Sequence, residues 1–219
     1  MDQSIYNAAR KIKSLTDEIS GLINNAGIMA PAKYNTSKDG IEMQFASNYI
    51  GHFLLTNLLM PEIKNARGVV TNVISGGYQV ADPDFRDVNF DDGKAYDPWV
   101  AYGRSKGANI LFSVALAKHL KASGCAAFSV NPGYVEATPL QKNAGITSDD
   151  MLAGFKLAAE RGVVSKEIDP RTVEQGAVTI VLSVLDAKLR GECVFCYYCF
   201  IMVVLKLIRI GNRVLGGIS

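Results

Sequence analysis

The chain has 219 residues, 48% hydrophobic and 20% charged, the composition of an ordinary globular protein with one sizeable core. A formal charge of +2 gives no electrostatic ground for a nucleic-acid partner. The first twenty residues are polar and lack the apolar run of a secretory leader, so a reducing compartment is expected and disulfides are not.

Residues 4–18 place Ile5, Ala8, Ala9, Ile12 and Leu15 on one face and predict a surface helix packed on a sheet. The run GLINN at 21–25 predicts a buried strand that stops in a tight loop. From Asp39 to about Met60 a long helical pattern follows, which Pro61 ends or kinks. GVVTNVI at 68–74 is a β-branched run of strand length. The aspartate-rich stretch 82–97 predicts a loop. Asp97-Pro98 then offers an N-cap and a first-turn proline for a helix running to about Ala122. AAFSVN at 126–131 predicts a third strand, stopped by Pro132-Gly133. Thr172 with Gln175 forms a capping-box pattern before the apolar run GAVTIVLSVL. Alternating strands and helices with crossover-length connections predict an α/β fold with a parallel sheet. Ligands of such sheets gather beyond the carboxyl ends of the strands, which draws attention to Asn25-Ala26-Gly27, Ser75-Gly76-Gly77 and Asn131-Pro132-Gly133.

Tyr102 and Lys106, four residues apart, share one helical face. A phenol titrates near pH 10, and a nearby ammonium ion favours its charged form, so the pair has the makings of a proton donor with a tuning charge. Ser75, past a strand end, is placed to bond the same oxygen. Alone, each residue has a plainer reading: a spacing that chance supplies in many helices, a strand terminator, a helix asparagine (Asn48) bonding backbone, and turn glycines (Gly27, Gly133). His52 in an apolar helix and His119 near a helix end read as structural, and Lys118 and Lys121 as solvated.

The order of the segments carries more than any one of them. NNAGIM, DGIEMQF, GHFLLTNLL, a strand ending in Ser75, the loop FRDVNFDDGKAYDPW, AYGRSKGANILF, NPGYVEAT and EQGA follow one another. Over about residues 2–190 the chain resembles the short-chain dehydrogenase/reductase family, in its branch of retinol dehydrogenases and WW-domain oxidoreductases. The resemblance implies a Rossmann-like doubly wound parallel sheet and an NAD- or NADP-dependent oxidoreductase interconverting an alcohol and a carbonyl, with NADP weakly favoured. It implies Tyr102 as general acid/base, Lys106 lowering its pKa and holding the nicotinamide ribose, Ser75 orienting the substrate oxygen, and Asn48 anchoring a water of a proton relay. Asn25, Ala26 and Gly27 match the segment against the middle of the cofactor. Pro132, Gly133 and Val135 match the segment beside the nicotinamide carboxamide, and Thr138 corresponds loosely to a threonine that usually follows. The segment 139–169, with Leu140, Ile146, Met151, Leu152 and Phe155, is expected to shape a pocket for a small apolar substrate.

Two departures qualify these expectations. The family's glycine-rich Gly-x-x-x-Gly-x-Gly turn has no counterpart before Asn25. The chain is therefore expected to be N-terminally truncated, lacking the first three strands and the pyrophosphate half of the cofactor site. An impaired homologue or fragment acting only by association is the alternative reading, and an incomplete gene model stays open. The second departure is the apolar tail. A partial Rossmann-like domain is expected over 1–192, and the tail over 193–219 is read as a last strand plus an extension. Its twelve uncharged residues at 194–205 are short for a membrane span, and Lys206, Arg209 and Arg213 leave an interfacial anchor as the less favoured alternative to a cytoplasmic protein. Cys193, Cys196 and Cys199 lack the further ligands of a zinc or iron–sulfur site, so no metal is expected. The expected partner is a small alcohol or carbonyl substrate, with a homo-oligomer left open.

Overall fold

The computed structural model describes residues 3–135, 138, 140, 146–162, 170–186 and 189. Three strands form a parallel sheet in the order β1 (Gly21–Asn24), β2 (Val69–Val73), β3 (Ala126–Val130). Leu22 pairs with Val70 and Asn24 with Asn72; across the next ladder Val70 pairs with Ala127 and Asn72 with Ser129. All five residues of β2 are buried, as expected of a central strand covered on both faces.

On one face lie α1 (Gln3–Lys13), α3 (Gly51–Leu58), α4 (Met60–Asn65) and α5 (Pro98–Leu120), around a core of Ala9, Leu59, Ile63, Val70, Phe112 and Leu116. Fully burying a side chain such as Leu59 or Ile63 is worth roughly 1.5–3 kcal/mol. The other face is covered by α7 (Val173–Leu185), where Thr71 and Ser183 hydrogen-bond at 2.8 Å. The close seat of that helix requires Gly21, whose added Cβ would fall 2.4 Å from Val184.

The long helical pattern begins later than Asp39, because Glu42 caps α2 (Met43–Phe45) by accepting from the Gln44 and Phe45 amides. It continues as a π turn over Ala46–Ile50 and then as α3. Pro61, in the first turn of α4, separates that helix from α3. Asp97 caps α5, and Thr172 with Gln175 forms the expected capping box of α7. One further expectation fails locally. The first helix stops at Lys13, because Thr16 turns its hydroxyl onto the Glu18 amide, and Leu15 is left exposed. A further helix, α6 (Ser148–Glu160), has its own capping box from Thr147 and Asp150. A short parallel pair, β4 (Tyr134–Val135) with β5 (Pro170–Arg171), was also not foreseen. The cysteine triplet and the rest of the tail lie outside the described residues. Among the described residues no helix is long and apolar enough to cross a membrane.

Candidate active site

The three strands end side by side, and the polar residues after them meet the N-terminal half of α5. Ser75, just past β2, caps the 3-10 turn Gly76–Val80 by accepting from the Gly77 amide at 3.2 Å. Gly77 brings this turn against the Tyr102 ring, so closely that a Cβ there would stand 2.8 Å from the ring edge. Tyr102 is 3% exposed. Burial pushes its phenol above the ordinary value, and a hydrogen bond with Ser75 acts in the opposite direction.

Lys106, one turn along α5, is buried, and its ammonium group donates to the Val73 carbonyl at 3.0 Å. Burial lowers its pKa to about 8. Its Nζ stands 5.8 Å from the centroid of the Tyr102 ring. The expected lowering of the phenol by Lys106 is therefore not the dominant effect in this arrangement; desolvation is. Lys106 uses one of its three N–H donors on Val73, leaving two for another acceptor.

Asn48 sits in the π turn, fully buried. Its side chain accepts from the Ile28 amide at 2.9 Å and donates to the Ile28 carbonyl at 3.0 Å and to Ser105 Oγ at 2.9 Å. It thus clamps the loop that follows β1. Gly27 in that loop lies so near that an added Cβ would be 3.0 Å from Asn48 Oδ1 and 3.7 Å from Lys106 Nζ. Asn25 and Ala26 beside it are exposed. The Asn48 main-chain carbonyl accepts from Asn109 Nδ2 at 2.7 Å.

Past β3, Asn131 Oδ1 accepts from the Gly133 amide, and Gly133 has φ +82°, a conformation that favours glycine. Pro132 and Val135 rest against α7 at Gly176. Thr138 donates weakly to the Val135 carbonyl at 3.4 Å. This loop, the Asn25–Gly27 loop and Lys106 all belong to the end of the sheet where its parallel strands stop.

An apolar roof covers Tyr102. Met29, Ala30, Trp99, Leu140, Ile146 and Met151 pack around it. Trp99 ties α6 down by donating to the Asp150 carbonyl at 2.9 Å and by lying against Gly154. Three of the residues expected in the pocket wall are thus in place. Leu152 points outward at 65% exposure, and the Phe155 side chain lies outside the described residues. Ser105 and Asn109 were missed as site residues. With Ser113 they form a run of buried polar side chains four residues apart in an otherwise apolar helix, a spacing that was there to be read.

Comparison with known proteins bears on the fold and the family. The family model for short chain dehydrogenase matches residues 1–85. A "Probable oxidoreductase" of Streptomyces antibioticus is 39% identical over 171 residues, covering 78% of this chain and 55% of that protein. "Retinol dehydrogenase 13" of Mus musculus is 38% identical over 156 residues, covering 71% and 46%. The chain spans about half the length of these curated relatives. The crystal structure of a 3-alpha-hydroxysteroid dehydrogenase from Pseudomonas sp. B-0831, complexed with NADH, superposes with a TM-score of 0.60 at 17% identity, over 84% of this chain and 73% of that one, and shares the fold. The ordered motifs, the parallel sheet and the relatives converge: the chain belongs to the short-chain dehydrogenase/reductase family, on its retinol dehydrogenase-like branch.

Proposed function

We propose that the chain carries the catalytic half of an NAD(P)-dependent oxidoreductase that interconverts an alcohol and a carbonyl on a small apolar substrate. The observation that carries this reading is the buried Tyr102 phenol, bracketed by Ser75 and Lys106 beneath an apolar roof. The nicotinamide nucleotide, when bound, supplies or accepts the hydride. The residues present fit its nicotinamide end. Lys106 retains two donors beside a loop that glycine keeps open at Gly27, and Gly133 opens the opposite loop.

The chain's own residues then handle the proton. Tyr102 carries its proton at neutral pH, since burial raises its pKa, and gives it to a carbonyl oxygen during reduction. Ser75 donates to the same oxygen and fixes its place. Lys106 holds positive charge near the phenolate that results, and the apolar roof of Trp99, Leu140 and Met151 excludes water.

A cofactor titration tests the reading. Saturable NADH or NADPH binding, weakened at least tenfold by Lys106→Ala and retained in Tyr102→Phe, is expected. Titrating both nucleotides also decides between NAD and NADP. Absence of binding at millimolar cofactor in folded protein would overturn the proposal and leave a homologue that acts by association.

A further inference from the structure

Gln44, the second residue of α2, is fully buried, and its carboxamide uses both of its hydrogens. Its oxygen accepts from the Ala30 amide at 2.8 Å. Its nitrogen donates to the Pro98 carbonyl at 3.0 Å and to the Tyr96 hydroxyl at 3.1 Å. Tyr96 passes its own proton to the Pro31 carbonyl at 2.9 Å. One side chain thus ties together the loop after β1, the loop before α5 and the first turn of α5. Glu42, by capping α2 through the Gln44 and Phe45 amides, fixes the backbone from which that side chain reaches.

Both tied ends reach Tyr102. Ala30 has φ +42°, in the left-handed region that favours glycine, and with Met29 it is buried in one apolar cluster with Tyr102. In an α-helix the carbonyl of residue 98 is also the acceptor for the amide of residue 102, so Gln44 and Tyr102 share the Pro98 oxygen. Trp99, the next residue, stands edge-on to the Tyr102 ring at a centroid distance of 6.3 Å. An apolar side chain at 44 would leave the buried Ala30 amide without its acceptor and release Ala30 from a conformation that alanine does not favour.

We infer that Gln44 is the positioning residue of the apolar pocket at Tyr102: it locks the Met29–Ala30 wall to the Trp99 wall, and their spacing selects which apolar substrates fit. Gln44 itself is closed off from the reacting atoms, with its polar atoms spent on Ala30, Tyr96 and Pro98. It acts through the two walls alone. The consequence for substrate choice rests on the proposed function; the tie between the walls does not.

Each wall carries its own reporter. Trp99 is the sole tryptophan of the chain, so its fluorescence reads the first turn of α5 without interference. Hydrogen exchange at the Ala30 amide reads the other wall, because that amide is buried and its acceptor is Gln44. Neither readout uses a nucleotide or turnover.

The test compares the whole chain with Gln44→Met, which keeps the length of the side chain and removes all of its hydrogen bonds. Faster exchange at Ala30 and a red-shifted, more readily quenched Trp99 emission are expected together. Turnover is then measured on a narrow aldehyde, hexanal, and a wide one, cyclohexanecarbaldehyde, with the nucleotide that the titration selects. The KM for hexanal should rise, and the ratio of kcat/KM for hexanal to that for the wide aldehyde should fall about tenfold, the scale on which an apolar pocket discriminates. A purely structural role would lower the active fraction, which scales kcat for both aldehydes equally and moves neither KM nor the ratio. Unchanged Ala30 exchange or unchanged Trp99 emission would overturn the tie, and an unchanged aldehyde ratio would overturn its role in the pocket. Should Gln44→Met fail to fold, Tyr96→Phe carries the test: it removes the Pro31 bond and one acceptor of Gln44, and it should move Trp99 and the aldehyde ratio the same way by a smaller step. No movement in that variant overturns the inference. Absence of turnover in the parent protein counts against the oxidoreductase reading instead, and the two nucleotide-free readouts then decide the inference alone.

Discussion

The Asn48 carboxamide donates to Ser105 Oγ at 2.9 Å, so the π turn is bonded to the residue immediately before Lys106. Ser105 also donates to the Tyr102 carbonyl at 2.8 Å. Ser105→Ala removes both bonds and leaves a buried amide half-satisfied. A loss of about 1–3 kcal/mol in urea unfolding is expected, the cost of stranding one buried polar partner. A loss below ~0.5 kcal/mol would show that the contact holds nothing.

Gly77 and Gly107 make opposite predictions for the same substitution. Alanine at 77 would put its methyl 2.8 Å from the Tyr102 ring, so the ring has to move away from Ser75. Alcohol or carbonyl turnover should fall at least tenfold, with stability falling by about 1–3 kcal/mol. Alanine at 107 meets nothing within 4 Å and sits in the interior of α5. It should stabilise the protein by roughly 0.5–1 kcal/mol. Thermal melting of the two variants side by side checks both signs.

His52 gives the fold an acid-sensitive point. Burial and the neighbouring Lys106 lower its pKa from 6.5 to about 4. Between those values the unfolded chain binds the proton and the folded one does not. Stability contributed by the neutral imidazole is therefore full above pH 6.5 and is lost as pH falls toward 4, by on the order of 3 kcal/mol at most. Urea midpoints measured at pH 7 and pH 5 should differ in the parent and differ less in His52→Gln.

Asp97 joins helix capping to the roof of the site. It accepts from the Trp99 and Val100 amides at 2.8 and 2.9 Å, and Trp99 holds α6 over Tyr102. Asp97→Ala should cost about 1–2 kcal/mol. It should also speed hydrogen exchange in α6, because Trp99 loses its fixed starting point. Exchange that quickens only within the first turn of α5 would contradict the link to α6.

What could be read from the residues was whatever follows local rules. Asp97-Pro98 and the Thr172–Gln175 box mark helix starts by their own chemistry, and the β-branched run of β2 marks a strand. Tyr102, Lys106 and Ser75 came from the order of motifs, and the fold gathers them at one end of the sheet. Features set by tertiary contact stayed hidden. The π turn depends on Asn48 reaching Ile28 and Ser105, partners 20 and 57 residues away. The phenol's raised pKa reflects how deeply Tyr102 is buried, which spacing to Lys106 does not reveal. Leu15 fits a helical face in sequence, yet that helix has already ended.

The row Asn24, Asn72, Ser129 runs across all three strands at one level. A central strand buried on both faces reads as a continuous apolar run, and such a run slides past its neighbour with little penalty. The asparagine pair breaks that freedom. A slip of one residue would turn Asn24 away from the Asn72 carboxamide it reaches at 2.8 Å and leave the buried Asn72 Oδ1 without that donor. The row acts as an alignment key, admitting one pairing of β1 with β2 and so one placement of the loop that leads from Asn24 toward Lys106.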